Sequence, residues 1–130
     1  LNWDSDYADR QDCSVCDCAN AWPADVFVSI HCNAANGRAC GTETLIYGAG
    51  GRSEQLAECI QRQIVESLDT TDRGLKERPG LIVLRATDMP AVLVELAFID
   101  NDEDAELLMT RQDDFARSIA RGVTDYEQMI

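Results

Sequence analysis

One stretch limits what this chain can fold into: Pro90-Ala91-Val92-Leu93-Val94-Glu95-Leu96-Ala97-Phe98-Ile99-Asp100-Asn101. It is an almost unbroken apolar run with one carboxylate set into it. Its length and its ending in Asp and Asn predict a strand buried on both faces, which belongs in a sheet covered by helices. An ionised glutamate inside such a strand is costly to desolvate unless something pairs with it. Either Glu95 is neutralised by an arginine such as Arg73 or Arg85, or it is an acid/base group whose pKa the burial tunes.

A second run, Asp25-Val26-Phe27-Val28-Ser29-Ile30-His31-Cys32-Asn33, is another short apolar strand that meets polar groups at its C-terminal end. It carries His31, the only histidine. In open α/β sheets, ligands gather outside the carboxyl ends of the strands. If the two strands are parallel neighbours, His31 and Glu95 share one rim. A lone histidine after an apolar run is otherwise a hydrogen-bonded structural residue.

The remaining segments predict a single α/β domain with a mixed, mostly parallel sheet flanked by helices. Residues 1–7 read as a strand end and a turn, and 7–21 as a helix broken at Trp22-Pro23. Residues 33–40 form a loop with an Asn36-Gly37 turn. Residues 41–47 alternate polar and apolar and predict a strand with one wetter face near an edge. From Ser53, Leu56, Ile60, Ile64 and Leu68 recur four apart and predict an amphipathic helix. Residues 70–79 read as a polar loop carrying Arg73, Lys76 and Arg78, a cationic patch suited to an anionic group or simply solvated. Residues 81–84 read as a short core strand, 102–109 as a short helix capped by Asn101 or Asp102, and 111–128 as the last helix.

With 24 acidic and 11 basic residues in 130, the formal net charge is −13. That repels nucleic acid and anionic membrane surfaces. No apolar stretch is long enough to span a bilayer, no signal peptide opens the chain, and the start at Leu1 suits a processed or cut product. Six cysteines allow 15 disulfide pairings. Cys13, Cys16 and Cys18 could instead seed a zinc or redox site, although no second CxxC supplies a fourth ligand. Structural, free or locally bridged thiols are the other reading.

Four blocks, in order, resemble one family. Ser29-Ile30-His31-Cys32-Asn33-Ala34 is similar to the S-x-H-x-N-A segment of the zinc-dependent N-acetylmuramoyl-L-alanine amidases of the amidase-3 family, which are bacterial cell-wall hydrolases. Gly41-Thr42-Glu43-Thr44 resembles its G-x-E strand, Asp72-Arg73-Gly74-Leu75-Lys76 its R-G-x-K loop, and the run 90–101 its P-A-V-L-V-E-x-G-F-x-S-N strand. The resemblance covers essentially the whole chain and makes 1–130 the C-terminal portion of an amidase-like catalytic domain.

The resemblance implies a peptidoglycan hydrolase that cuts the amide between N-acetylmuramic acid and L-alanine through a zinc-activated water. His31 would be a Zn2+ ligand and Glu95 the catalytic glutamate. Charge placement, rather than the resemblance, suggests that Asn33 and the Arg73/Lys76 loop hold the peptide stem, with either cation meeting a carboxylate. The family's first strand, which ends in a D-x-G-H-G-type motif with another histidine, and the following helix with a glutamate ligand would lie before Leu1. The expected setting is extracellular or cell-wall, as a monomer, with peptidoglycan the only partner. The alternatives are a truncated or inactive amidase-fold module that binds cell-wall peptide or a partner without turnover, and a cysteine-based metal or redox protein.

Overall fold

The computed structural model describes residues 5–7 and 14–130. The readings for residues 1–4 and 8–13, Cys13 among them, lie outside the described residues. A 3-10 turn at Ser5–Tyr7 is followed by α1 (Ser14–Ala21), β1 (Phe27–Asn33), β2 (Thr42–Ile46), α2 (Arg52–Leu68), β3 (Asp72–Glu77), α3 (Ile82–Arg85), β4 (Ala91–Phe98), α4 (Asp102–Thr110) and α5 (Gln112–Met129).

The 90–101 run supplies β4, which lies inside a four-stranded sheet of order β1-β4-β2-β3. β1 pairs parallel to β4, β2 antiparallel to β4, and β3 parallel to β2. The sheet is therefore mixed, as expected. Because side chains alternate along a strand, β4 serves two cores. Val92 and Val94 join Ile46, Leu56, Ile60, Ile64, Phe115, Ile119 and Tyr126 beneath α2 and α5. Leu93 and Ala91 join Leu45, Ile82, Val83, Leu84 and Cys16 on the side of α1 and α3. The helix predicted from Ser53 is α2, and its apolar stripe is the buried face. Gly122 brings α5 against it, since a Cβ there would lie 2.5 Å from the Cα of Ile60.

Three segments differ from the sequence expectation. The 41–47 strand is neither wet nor at an edge: all five residues of β2 are buried between β4 and β3. Its polar residues are satisfied internally, Thr42 Oγ1 donating to the Leu96 carbonyl at 2.8 Å and Thr44 Oγ1 to Gln61 Oε1 at 2.9 Å. The expected 70–79 loop contains β3. This is an edge strand paired on one side only, so it needs no apolar alternation, and Leu75 alone packs towards the core. The expected strand at 81–84 is instead the helical turn α3, still in the core with Val83 fully buried. A four-residue apolar run has no periodicity to separate the two.

α4 is fixed at its start. Asn101 Oδ1 accepts the Asp104 N–H at 3.0 Å, the side-chain cap expected of it. The buried Asp104 carboxylate accepts the N–H groups of Gly41 and Phe98, both at 2.9 Å. One side chain thereby ties the approach to β2 to the end of β4. Gly41 is needed there: its φ is +111, and a Cβ would lie 2.5 Å from the Thr71 carbonyl oxygen.

Candidate active site

The β1–β4 register makes His31 and Glu95 direct Cα partners. The β2–β4 register makes Glu43 the partner of Glu95 on its other side. One row across three strands thus holds an imidazole and two carboxylates, on the face shared with Leu45 and Leu93. The sequence expectation of a shared rim for His31 and Glu95 is met by parallel pairing. Glu43 was not singled out, although its two-residue spacing from Leu45 already put both on one face.

Glu95 is 3% exposed and its Oε2 is buried with no hydrogen-bond partner. Its Oε1 accepts the Tyr7 hydroxyl at 2.6 Å. That is the carboxylate's partner in place of an arginine, because Arg73 turns to Glu43, with Nε 3.5 Å from Oε1. Burial pushes the Glu95 pKa above the ordinary carboxylate value. The Tyr7 hydrogen bond and the nearby imidazole oppose that rise, and Glu43 adds to it. Tyr7 is itself held well above the usual phenol range, by burial first and then by its bond to Glu95.

His31 Nε2 lies 2.7 Å from Asp6 Oδ2 and 2.7 Å from Ser29 Oγ, and the Ser29 hydroxyl also donates to Asp6. The Tyr7 ring meets the imidazole edge-on, with centroids 4.7 Å apart. Ser29 was legible as a face-mate of His31, two residues away. Asp6 and Tyr7 arrive from a turn remote in sequence and left no local signal.

Asn33 Nδ2 donates to Glu43 Oε1 at 2.7 Å. A register shift between His31 and Asn33 accompanies this placement. The Arg73 guanidinium lies over the Phe98 ring, 4.9 Å from its centroid. Lys76 donates its amine to the Arg73 carbonyl. Asn33 therefore shares the site with Glu95, Arg73 reaches it through Glu43, and Lys76 stays on β3. A cavity of about 220 Å³ opens here, lined by Tyr7, Asn33, Glu43, Leu45, Arg78, Leu81 and Glu95. A larger groove of about 420 Å³ between α2 and β3 shares none of these residues.

A catalytic zinc takes roughly three protein ligands and keeps one open position. Among the described residues no three His, Cys, Asp or Glu side chains are placed to hold a metal ion. The described residues alone therefore do not make a complete zinc site. Cys16 is disulfide-bonded, whereas Cys18, Cys32, Cys40 and Cys59 are free thiols. This supports bridged and free thiols over a cysteine metal centre.

Residues 5–125 match the Amidase_3 family, described as N-acetylmuramoyl-L-alanine amidase. The chain belongs to this family. It is 44% identical over 105 residues to the N-acetylmuramoyl-L-alanine amidase CwlM of Bacillus licheniformis, a match covering 80% of this chain and 40% of that protein. It is 40% identical over 105 residues to the sporulation-specific N-acetylmuramoyl-L-alanine amidase of Bacillus subtilis (strain 168), covering 80% of this chain and 39% of the relative. The solved N-acetylmuramoyl-L-alanine amidase of Clostridium difficile 630 superposes with a TM-score of 0.82 at 35% identity, covering 87% of this chain and 63% of that one. The amidase fold is thus shared, while the chain spans less than two thirds of these proteins.

Proposed function

We propose that residues 1–130 are the C-terminal portion of a catalytic domain that hydrolyses the amide between N-acetylmuramic acid and L-alanine in peptidoglycan. The observation that carries this reading is the cross-strand pairing of His31 with Glu95, whose Oε2 is buried and uncommitted at a cavity. Oε2 takes the proton of the attacking water, and the same carboxyl then returns it to the leaving amine. Burial suits Glu95 to this, because a carboxylate with a raised pKa is a stronger base nearer neutral pH. Leu45 and Leu81 wall the cavity and limit water around the reacting amide.

His31 is proposed as one ligand of a Zn2+ ion whose other ligands come from outside the described residues. Bound zinc supplies a water of pKa near ~7 and polarises the carbonyl. A metal held through Nε2 of His31 would displace its contacts to Asp6 and Ser29. Asn33, Arg73 and Lys76 are proposed to hold the peptide stem, Arg73 by way of Glu43. The net charge of −13 supports partners other than nucleic acid. No described helix is long and apolar enough to cross a membrane. A cell-wall or extracellular setting and a monomeric state complete the proposal.

The experiment is zinc analysis combined with release of soluble peptide from purified peptidoglycan. The reading requires about one zinc per chain, loss of release in chelator and its restoration by Zn2+, and loss in Glu95→Gln and His31→Ala. Release unaffected by Glu95→Gln would refute it. A second reading is favoured by the contacts of Asp6 and Tyr7 with His31 and Glu95. In it, the chain is an amidase-fold module that binds wall peptide without cleaving it. Binding to peptidoglycan with no release at saturating Zn2+ would select that reading.

A further inference from the structure

We propose that Arg78 is a specificity-determining residue that binds a carboxylate on the substrate residue following the L-alanine. The inference rests on the amidase reading above and adds to it the charge of the peptide accepted.

Arg78 is fixed by its backbone. Its N–H donates to the Ile46 carbonyl at 2.8 Å, which continues the β2–β3 pairing past the end of β3, and its own carbonyl accepts the Leu81 N–H at 3.2 Å. The exposed side chain is therefore presented from the corner where β3 ends. Its Nη1 donates to the Glu77 carbonyl at 3.0 Å. The rest of the guanidinium fork is uncommitted, and among the described residues Arg78 forms no ion pair. Arg73, which meets Glu43 and Phe98, and Lys76, which meets the Arg73 carbonyl, do not line this cavity and are left to hold other parts of the peptide stem.

Among the described residues, Arg78 is also the only cation lining the cavity that holds Glu95. The floor carries two buried carboxylates, Glu43 at 6% exposure and Glu95 at 3%, in a chain of net charge −13. These two carboxylates oppose an anionic substrate group, and at the cavity wall the Arg78 guanidinium offsets that repulsion. At about 220 Å³ the cavity is smaller than a usual ligand pocket, roughly 300–1,000 Å³. Arg78 and Glu95 line this same small cavity, so a ligand whose amide reaches Glu95 is within the space that Arg78 borders. Leu45 and Leu81 offer apolar contact to an alanine methyl, and the planar guanidinium fork matches a carboxylate in bidentate geometry.

The test uses the zinc-loaded protein and two probes. One is N-acetylmuramoyl-L-alanine extended by a single acidic residue, and the other is the same compound with that residue's carboxylate amidated. The wild type should favour the acid by about tenfold in KM, which corresponds to ~1.4 kcal/mol. Arg78→Gln should raise the acid's KM to that of the amide with kcat unchanged, and Arg78→Lys should restore part of the difference. Equal KM values for acid and amide in the wild type, or a preference that survives Arg78→Gln, would overturn the assignment while leaving the amidase reading intact. If neither probe is cleaved and no peptide is released from peptidoglycan, the amidase reading fails instead. Calorimetric Kd values for the same pair then decide the role of Arg78: an acid preference abolished by Arg78→Gln supports it, and no preference overturns it.

Discussion

Replacing Gly122 with alanine should destabilise this protein even though alanine is the better helix former. In a helix interior the exchange alone is worth about 1 kcal/mol in favour of alanine. Here the added Cβ would lie 2.5 Å from Ile60 Cα, 2.8 Å from Ile60 N and 2.8 Å from Ile60 Cγ1. Carbon atoms at rest stay about 3.5–4.0 Å apart, so α5 must back away from α2 by roughly 1 Å. Overpacking of this kind costs about 1–3 kcal/mol, and the upper end applies because two of the three clashing atoms are backbone. After the propensity gain the net loss is about 1–2 kcal/mol, and at roughly 4 °C per kcal/mol Tm falls by roughly 4–8 °C. Thermal unfolding followed by circular dichroism, with urea titration to check that the m-value is unchanged, reads this directly. Ile60→Ala should not rescue Gly122→Ala, since it leaves the Cα and N in place. A rise in Tm for Gly122→Ala, or full rescue by Ile60→Ala, would refute the reasoning.

Three further outcomes follow from the same contacts. With the Glu95 pKa raised by folding, the folded state holds the proton longer than the unfolded one, so stability declines as pH rises from the ordinary carboxylate value through the raised one. In chelator-treated protein, Glu95→Gln should therefore match the wild type near pH 4 and exceed it above that window, by about 1 kcal/mol for a buried unsatisfied acceptor; a pH-independent difference in urea midpoints would contradict this. Asp104→Ala strands two buried N–H groups, those of Gly41 and Phe98, and should lower stability by about 3 kcal/mol in urea unfolding. Asn101→Ala removes the α4 cap and should lose about 1 kcal/mol by the same measurement.

Where an element's polarity follows its burial, its own composition revealed its place. The 90–101 run is apolar on both sides because β4 is covered on both faces, and α2 shows its stripe because only one side is buried. Where pairing rather than burial defines an element, the pattern misled. β3 is polar because an edge strand takes its hydrogen bonds from one neighbour. β2 alternates in polarity yet lies wholly inside, since Gln61, Asn33 and the Leu96 carbonyl satisfy its Thr and Glu side chains.

For the site, the chain's local pattern determined that His31 and Glu95 each sit on a core strand near a polar end, because apolar runs and side-chain alternation are properties of neighbours in sequence. Only the tertiary structure decided that the two strands pair in register, that Glu43 flanks Glu95 from the other side, and that Asp6, Tyr7 and Arg78 surround them. Those contacts join residues up to 88 positions apart. Register and loop closure, which no short window of sequence encodes, bring them together.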